Sequence, residues 1–566
     1  MITFAPMPPL AVPSLVRSLP LRLATLTSLL LAARVSAQAP LSHTDDAAPV
    51  PAGSLRLRIT TAWTRYDQRF TADGGTRPLT DDFSTDALGV AQLPLLAPTE
   101  ATLRTLAGDQ NVRLSLGRLE VRGGARIVTT PISLEYGVTR RLSVGVQVPI
   151  VQTRRVIQAR VNTDTTLRAN VGFVPDNARS TAAQQNLAVV EALTQNADAL
   201  AALITQCAAN PAAAGCAPVN ADPTGAAAAR DQARAYASAV SGLGTDAANA
   251  LLAPRAGSAL EASIDARRVA INAALQQFLG AGAGSSTGVF TATTDFSYID
   301  LQGRRGTPGL LQSSLGGGLD SLHTSDRLGI GDVAVGARYL VFDRFARGAE
   351  AAPRVQSRLQ VGAAVRFATS QADSALDLAD IAPGEGAGVE VHSAMDLLSG
   401  RFGGTIAGRY VKAFSRTVTA PLFGNPEAFY PIPFFGERKR TAGDVIGLDL
   451  TPRYFFSDWL SVDAHYGLER VGATQYSAVF TGTPCANCLS VAQPDVETTV
   501  GSATTAQRLG LGFRLSTVDA YARGRARYPI EVSFSHLETV TGDAGLPKAS
   551  RDQIQLRFYY RLRRAD

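Results

Sequence analysis

Two histidines and a pair of cysteines are the residues from which a reaction centre could be built. Cys485-Ala486-Asn487-Cys488 has the spacing of a redox or zinc motif. It stands in a Gly/Pro/Thr loop with no second pair nearby, so a local disulfide is the expected state, and Cys207 and Cys216 are expected to form another. His465 shares a strand face with Asp463 and Glu469. Metal or proton chemistry could use such a set, but a single nitrogen ligand is too few, and a charge network is expected instead. His536 follows Ser533 and Ser535 closely. A lipid-cleaving Ser–His pair needs both groups on one face, and strand alternation places these serines on the face opposite the histidine. No phosphate-cradling glycine loop is present. The sequence therefore implies no enzyme, no metal and no cofactor.

The commoner chemistry in this chain is arginine against carboxylate. Lysine occurs only at Lys412, Lys439 and Lys548, so the net charge of +6 is carried by arginine. The guanidinium fork holds a carboxylate through two hydrogen bonds, which suits charges paired inside a structure. The residues concerned recur at alternate positions: Arg56, Arg58, Arg338, Arg354, Arg358, Arg366, Arg409, Arg453, Arg508, Arg514, Arg557 and Arg561, with Glu135, Asp332, Asp449, Asp463, Glu469 and Glu531. Unpaired charge in a dry sandwich core costs several kcal/mol per group, roughly 3–5, whereas a wet or charge-paired lumen accepts it. These residues, with His465, are the expected lining of a lumen.

The elements that would position them are strands. From Ile132 to Tyr136 and from Leu142 to Ile150, apolar residues alternate with polar ones or glycine, and Gly137–Arg141 interrupts the pattern. A period of two puts successive side chains on opposite faces. The same unit returns from Leu55 to Leu562 about twelve times. The connections alternate between short ones, such as 137–141 and 457–459, and long or polar ones, such as 67–117 and 157–327. Short turns at one end and long loops at the other belong to an all-β outer-membrane barrel, in which an even strand number places both termini in the periplasm. Aromatic residues fall on the apolar faces near both strand ends: Tyr136, Tyr339, Tyr454, Phe456, Phe558 and Tyr560 at one, Trp63, Phe367, Phe414 and Tyr466 toward the other. Two aromatic girdles are what the two membrane interfaces select.

Two of these stretches resemble a known family. Gly137-Val138-Thr139-Arg140-Arg141-Leu142-Ser143-Val144-Gly145 is similar to the hairpin motif of outer-membrane proteins associated with phenol-degradation (meta-cleavage) pathways, and Gly331-Asp332-Val333-Ala334-Val335-Gly336-Ala337-Arg338-Tyr339 is similar to that family's second motif. The resemblance implies a barrel with a transport role; small solutes, hydrophobic or aromatic ones among them, are the expected cargo.

Two segments break the strand pattern. Residues 1–37 have a basic flank at Arg17 and Arg22, an apolar run from Leu23 and a small-residue site at Val35-Ser36-Ala37, which together read as a secretory signal. Residues 178–282 are rich in alanine, with apolar residues at helical spacing, and predict three helices near 180–206, 224–252 and 257–280 in an external insertion. The expected division is a signal at 1–37, barrel strands 1–3 with an external loop at 38–177, the helical insertion at 178–282, and strands 4–12 at 283–566. No apolar run long enough for a transmembrane helix is expected elsewhere. The pI near 9.2 is not matched by a basic run interleaved with aromatics, so nucleic acid is not an expected partner. Membrane lipid and a small solute are. Two functions remain: a passive channel or transporter, or a surface protein in which the barrel is an anchor and the insertion binds a partner.

Overall fold

The chain is described by a computed structural model for residues 46–561, leaving out 82–83, 164–168, 282, 284, 304–307, 314–323, 346–353, 371–385, 422–434, 479–496, 501 and 523. The signal at 1–37 and the Cys485/Cys488 pair lie outside the described residues.

Twelve antiparallel strands form one closed sheet. They are β1 (Ser54–Tyr66), β2 (Leu119–Gly137), β3 (Leu142–Val161), β4 (Ala334–Asp343), β5 (Gln356–Arg366), β6 (Gly388–Ser399), β7 (Phe402–Ala413), β8 (Val445–Phe455), β9 (Leu460–Val471), β10 (Thr504–Ser516), β11 (Ile530–Gly542) and β12 (Ser550–Arg561). Each pairs with its sequence neighbour, and β1 closes the ring against β12, with Leu55 opposite Tyr560. Closure satisfies every edge, which a span through lipid requires. β2 and β3 run to 19 and 20 residues, longer than the ten or so expected. They rise beyond the ring as a ribbon, and Ser325–Ile330 pairs with the upper part of β3 before Gly331-Asp332-Val333 interrupts and β4 begins. The stretches expected as loops at 415–443 and 477–505 also contain strands, which form a separate four-stranded sheet.

The two faces of the wall differ as the alternation requires. Outward residues are apolar and exposed: Leu134, Val144, Val335, Val361, Ile406, Ile446, Leu511, Phe513 and Ile554 among them. On β1 the outward row runs from Leu55 to Trp63. About nine residues tilted by about 40° rise roughly 23 Å, the height of a barrel's lipid-facing band. Tyr339, Phe402, Phe456, Trp459 and Tyr560 stand exposed at the short-turn end, and Phe367 and Phe414 toward the other. The fold and its apolar exterior define an outer-membrane type of β-barrel.

A helical cap covers the long-loop end. Its helices are α1 (Ala97–Ala107), α2 (Asp176–Ala209), α3 (Cys216–Ala221), α4 (Pro223–Ser241), α5 (Ala259–Leu279) and α6 (Tyr298–Gln302). The α4 helix starts where Asp222 accepts the Gly225 amide at 2.7 Å, and α5 where Ser258 accepts that of Glu261 at 3.1 Å. α4 stops at Ser241, short of the expected 252, because Gly242 and Gly244 follow; Gly244 adopts φ 101°, a left-handed conformation that favours glycine. Cys207 and Cys216 are joined in a disulfide between α2 and α3.

The cap's apolar core reaches beyond the expected insertion. Leu193, Leu200, Tyr236, Ile264 and Leu275 pack with Leu88, Leu96, Leu103, Leu106 and Leu116 from the first long loop and with Phe296, Leu301 and Leu310 beyond 282. α1, in a loop expected to be merely polar, supplies two of these leucines. α2 is also long and apolar enough by composition to cross a membrane, where no such run was expected. It packs in the cap instead, burying Val189, Leu193, Ala197 and Leu200 completely.

Candidate functional site

The inward face of the barrel is polar because alternate positions on nearly every strand carry arginine, carboxylate, threonine or glutamine. At the short-turn end, Glu135 on β2 gathers three arginines: Arg56 at 2.6 Å, Arg58 at 3.7 Å and Arg338 at 3.9 Å. Arg56 and Glu135 are almost wholly buried, at 1% and 3% exposure. Across the lumen, Glu531 lies 3.2 Å from Arg557 and 3.5 Å from Arg514. Arg358 pairs with Asp396 at 2.7 Å, and Arg453 with Asp463. Higher up, Glu469 joins Arg508 at 2.9 Å and Arg409 beside Asp449. His465 meets the Thr451 hydroxyl at 3.3 Å while its neighbours Asp463 and Glu469 turn to arginines. Two small cavities among these groups measure about 20 and 10 Å³, room for about one water each.

Three expected lining residues sit elsewhere. Asp332 is buried at the long-loop rim, accepting the backbone amides of Ser370 at 3.1 Å and Gly386 at 2.7 Å; the break between the two segments that pair with β3 aims it at the next loop. Arg366 also serves this rim, donating to the Gly386 carbonyl at 3.0 Å. Arg354 precedes β5 and is exposed in the turn. Arg561 ends β12 opposite Ser54, and its side chain lies outside the description. His536 faces outward, bound to Asp552 at 2.8 Å, while Ser533 and Ser535 line the inside, so no Ser–His pair forms.

The residues preceding β1 were not expected in the site. Asp46–Gly53 enter the lumen from the short-turn end. Asp46 contacts Arg557 at 2.8 Å and Arg514 at 3.3 Å. The Ala47 amide donates to Asp396 at 2.9 Å, and Arg56 donates to the Ala48 carbonyl at 3.3 Å. Ala47, fully buried, touches Ala394 and Ala407. Burial pushes the Asp46 carboxyl up, but Arg557, Arg514, Arg358 and Arg56 outweigh it and hold the group well below the usual carboxylate range. The segment then crosses Gly137, whose amide-side partner Gly53 donates to the Gly137 carbonyl at 2.8 Å. A Cβ at Gly137 would collide with the carbonyls of Val50 and Pro51. The signal that could have found this segment was the surplus of arginine over acid on the inward face, which asks for a carboxylate from outside the strands.

No protein-family model matches the sequence, and no curated protein matches it. Solved structures align with most of the chain at low identity. An outer-membrane channel from Pseudomonas putida F1 aligns with 92% of this chain and 100% of its own, at 9% identity and TM-score 0.38. The Pseudomonas putida toluene transporter TodX aligns over 90% and 89%, at 9% identity and TM-score 0.22. A Pseudomonas aeruginosa FadL homologue aligns over 90% of each chain, at 8% identity and TM-score 0.24. Likeness at these scores decides nothing about the lumen. The two motifs that resemble the meta-cleavage family have local roles here: one makes the β2–β3 turn under the crossing segment, the other the break at Asp332.

Proposed function

We propose that the protein is an outer-membrane channel for small molecules, with both termini in the periplasm, held shut from that side by residues 46–53. The observation that supports this reading most is the way the segment is held. It sits in the lumen through Asp46, the Ala47 amide on Asp396, the Ala48 carbonyl on Arg56 and the buried side chains of Ala47 and Val50, a set of interactions that can be broken as a unit while Arg514 and Arg557 keep Glu531 and Arg56 keeps Glu135. A permanent filler would be expected to bury a larger apolar surface.

With the segment withdrawn, Arg56, Arg514 and Arg557 face the opening. Guanidinium forks donate to carboxylates and stack on aromatic rings, so small anions, aromatic carboxylates among them, fit this lining better than cations. Uptake into protein-containing liposomes tests the class: benzoate should enter faster than benzylamine, and equal or reversed rates would count against it.

The second reading, a barrel that only anchors the cap, is favoured by the density of ion pairs in the lower lumen. It requires that the lumen stay closed with or without residues 46–53.

A further inference from the structure

The outward face of the barrel carries an arrangement that neither the closure nor the solute explains. Above the apolar band, Arg65, Arg126 and Arg154 stand in one row on adjacent strands β1, β2 and β3. The register sets Arg65 opposite Arg126 and Arg126 opposite Arg154. All three are exposed and belong to the outward face, one step beyond Trp63, Val128 and Gln152. Like charges placed directly opposite on one sheet face cost stability, so three in a row ask for an anion. Arg65 has Asp552 at 3.1 Å. Neither Arg126 nor Arg154 makes an ion pair or side-chain hydrogen bond among the described residues. Asp326 lies opposite Arg154 but is engaged by Gln152 at 3.0 Å.

The row borders a cleft of about 550 Å³, lined also by Lys548, Val156, Gly124 and Ser550. The acids on its rim are Asp67 and Glu538, and Glu538 faces His536 at 3.6 Å. Among the lining residues four basic groups face two acids, and Asp552 and Asp326 at its edge offset Arg65 and part of Arg154, so the positive charge centres on Arg126 and Lys548. Its position matters as much as its charge. The roughly 23 Å band below it is filled by acyl chains, so the row stands at the level of the headgroups. Arginine with a planar fork and a backbone held in a sheet binds phosphate bidentately without reordering the wall.

We infer that Arg126 and Arg154, with Lys548 and Arg65 at the margins, form a binding site for the phosphate groups of a membrane lipid in the leaflet at the long-loop end. The lipid is one that bears phosphate monoesters on a sugar or glycerol headgroup, with its acyl chains lying along Val128 and Trp63. The inference rests on the barrel's place in a membrane and not on what passes through it.

Native mass spectrometry of the full chain in non-ionic detergent tests this, with diphosphoryl lipid A and its dephosphorylated form as probes. The diphosphoryl form should be retained at least about tenfold better. The double variant R126Q/R154Q should lose that preference, whereas R140Q, in the exposed β2–β3 turn, should keep it. Inorganic phosphate at millimolar concentration should not displace the lipid. Equal retention of the two lipids by the unaltered protein would overturn the site, whether or not the double variant assembles. Displacement by inorganic phosphate would show a free-anion site and overturn the assignment to lipid.

Discussion

Asp46 and Arg557 are 511 positions apart in the sequence and meet at 2.8 Å inside the barrel. The contact ties the residues that precede the first strand to the last strand. Arg557 is held by Glu531 as well, so the pair joins the proposed closing segment to the wall. D46N should therefore release the segment while leaving the wall intact. Removing one member of a buried pair costs about 3 kcal/mol, here felt as docking of the segment rather than as barrel stability. Proteolysis of the region before β1 should accelerate by about a hundredfold with unchanged heat-modifiable gel migration. An unchanged cleavage rate would show that Asp46 does not hold the segment.

The same contact fixes a pH dependence. A carboxyl whose folded pKa is depressed contributes stability that is present above its ordinary pKa and lost as pH falls through the folded value. Asp46 lies well below the usual range, so closure should be insensitive to pH from about 8 down to about 4 and fail only below that. Conductance recorded across this window should stay flat. A rise centred between about pH 5 and 7 would place control of the opening on another group.

Gly137 offers a steric test free of charge effects. G137A adds one methyl group where the Val50 and Pro51 carbonyls cross. The segment should be displaced, giving the same proteolytic exposure as D46N, while the β2–β3 pairing of Gly137 with Ser143 is retained. Normal protection in G137A would mean that the crossing adjusts without leaving the lumen.

Glu135 is the counterpart on the wall. Three arginines converge on it, so E135Q leaves buried positive charge without compensation. The expected loss is about 3 kcal/mol of barrel stability, read as a fall of several degrees in the temperature at which the folded gel band disappears. No fall would show that Arg56 and Arg58 find enough polar partners elsewhere.

Replacing 178–282 with a short linker is expected to damage the cap remnant. Leu96, Leu103, Leu106 and Leu116 would lose the partners they bury against, because they share one core with α2, α4 and α5. Limited proteolysis should then cut the first long loop, between β1 and β2, while the twelve strands still assemble. A protected first loop would mean that it folds without the helices.

The barrel was legible because each strand repeats one signal. Leu55 to Trp63, Leu509 to Leu515 and Ile554 to Leu562 all alternate, and alternation states both the element and the face. Helices α2 and α5 were legible from their apolar spacing and α4 from its alanine-rich stretch, whose start after Asp222 falls within a residue of the expected 224 but whose end, set by Gly242, falls well short of the expected 252. What periodicity does not encode is contact between distant segments. α1 shows no sign in its own sequence that Leu103 and Leu106 will meet the α4 and α5 helices. Residues 46–53 have no regular pattern at all; their place follows only from a shortage of acid in the lumen. Asp332 looked like its neighbours on an alternating strand, and only the interruption at Gly331-Asp332-Val333 turns it toward the rim.

Planar-bilayer recording of the full chain beside a chain lacking residues 46–53 tests the central claim most directly. The full chain should be mostly silent, and the shortened chain should conduct steadily, with a reversal potential in a salt gradient that favours anions. Silence from both would contradict a channel closed by this segment and leave the barrel an anchor. Steady conductance of equal size from both would contradict the closure.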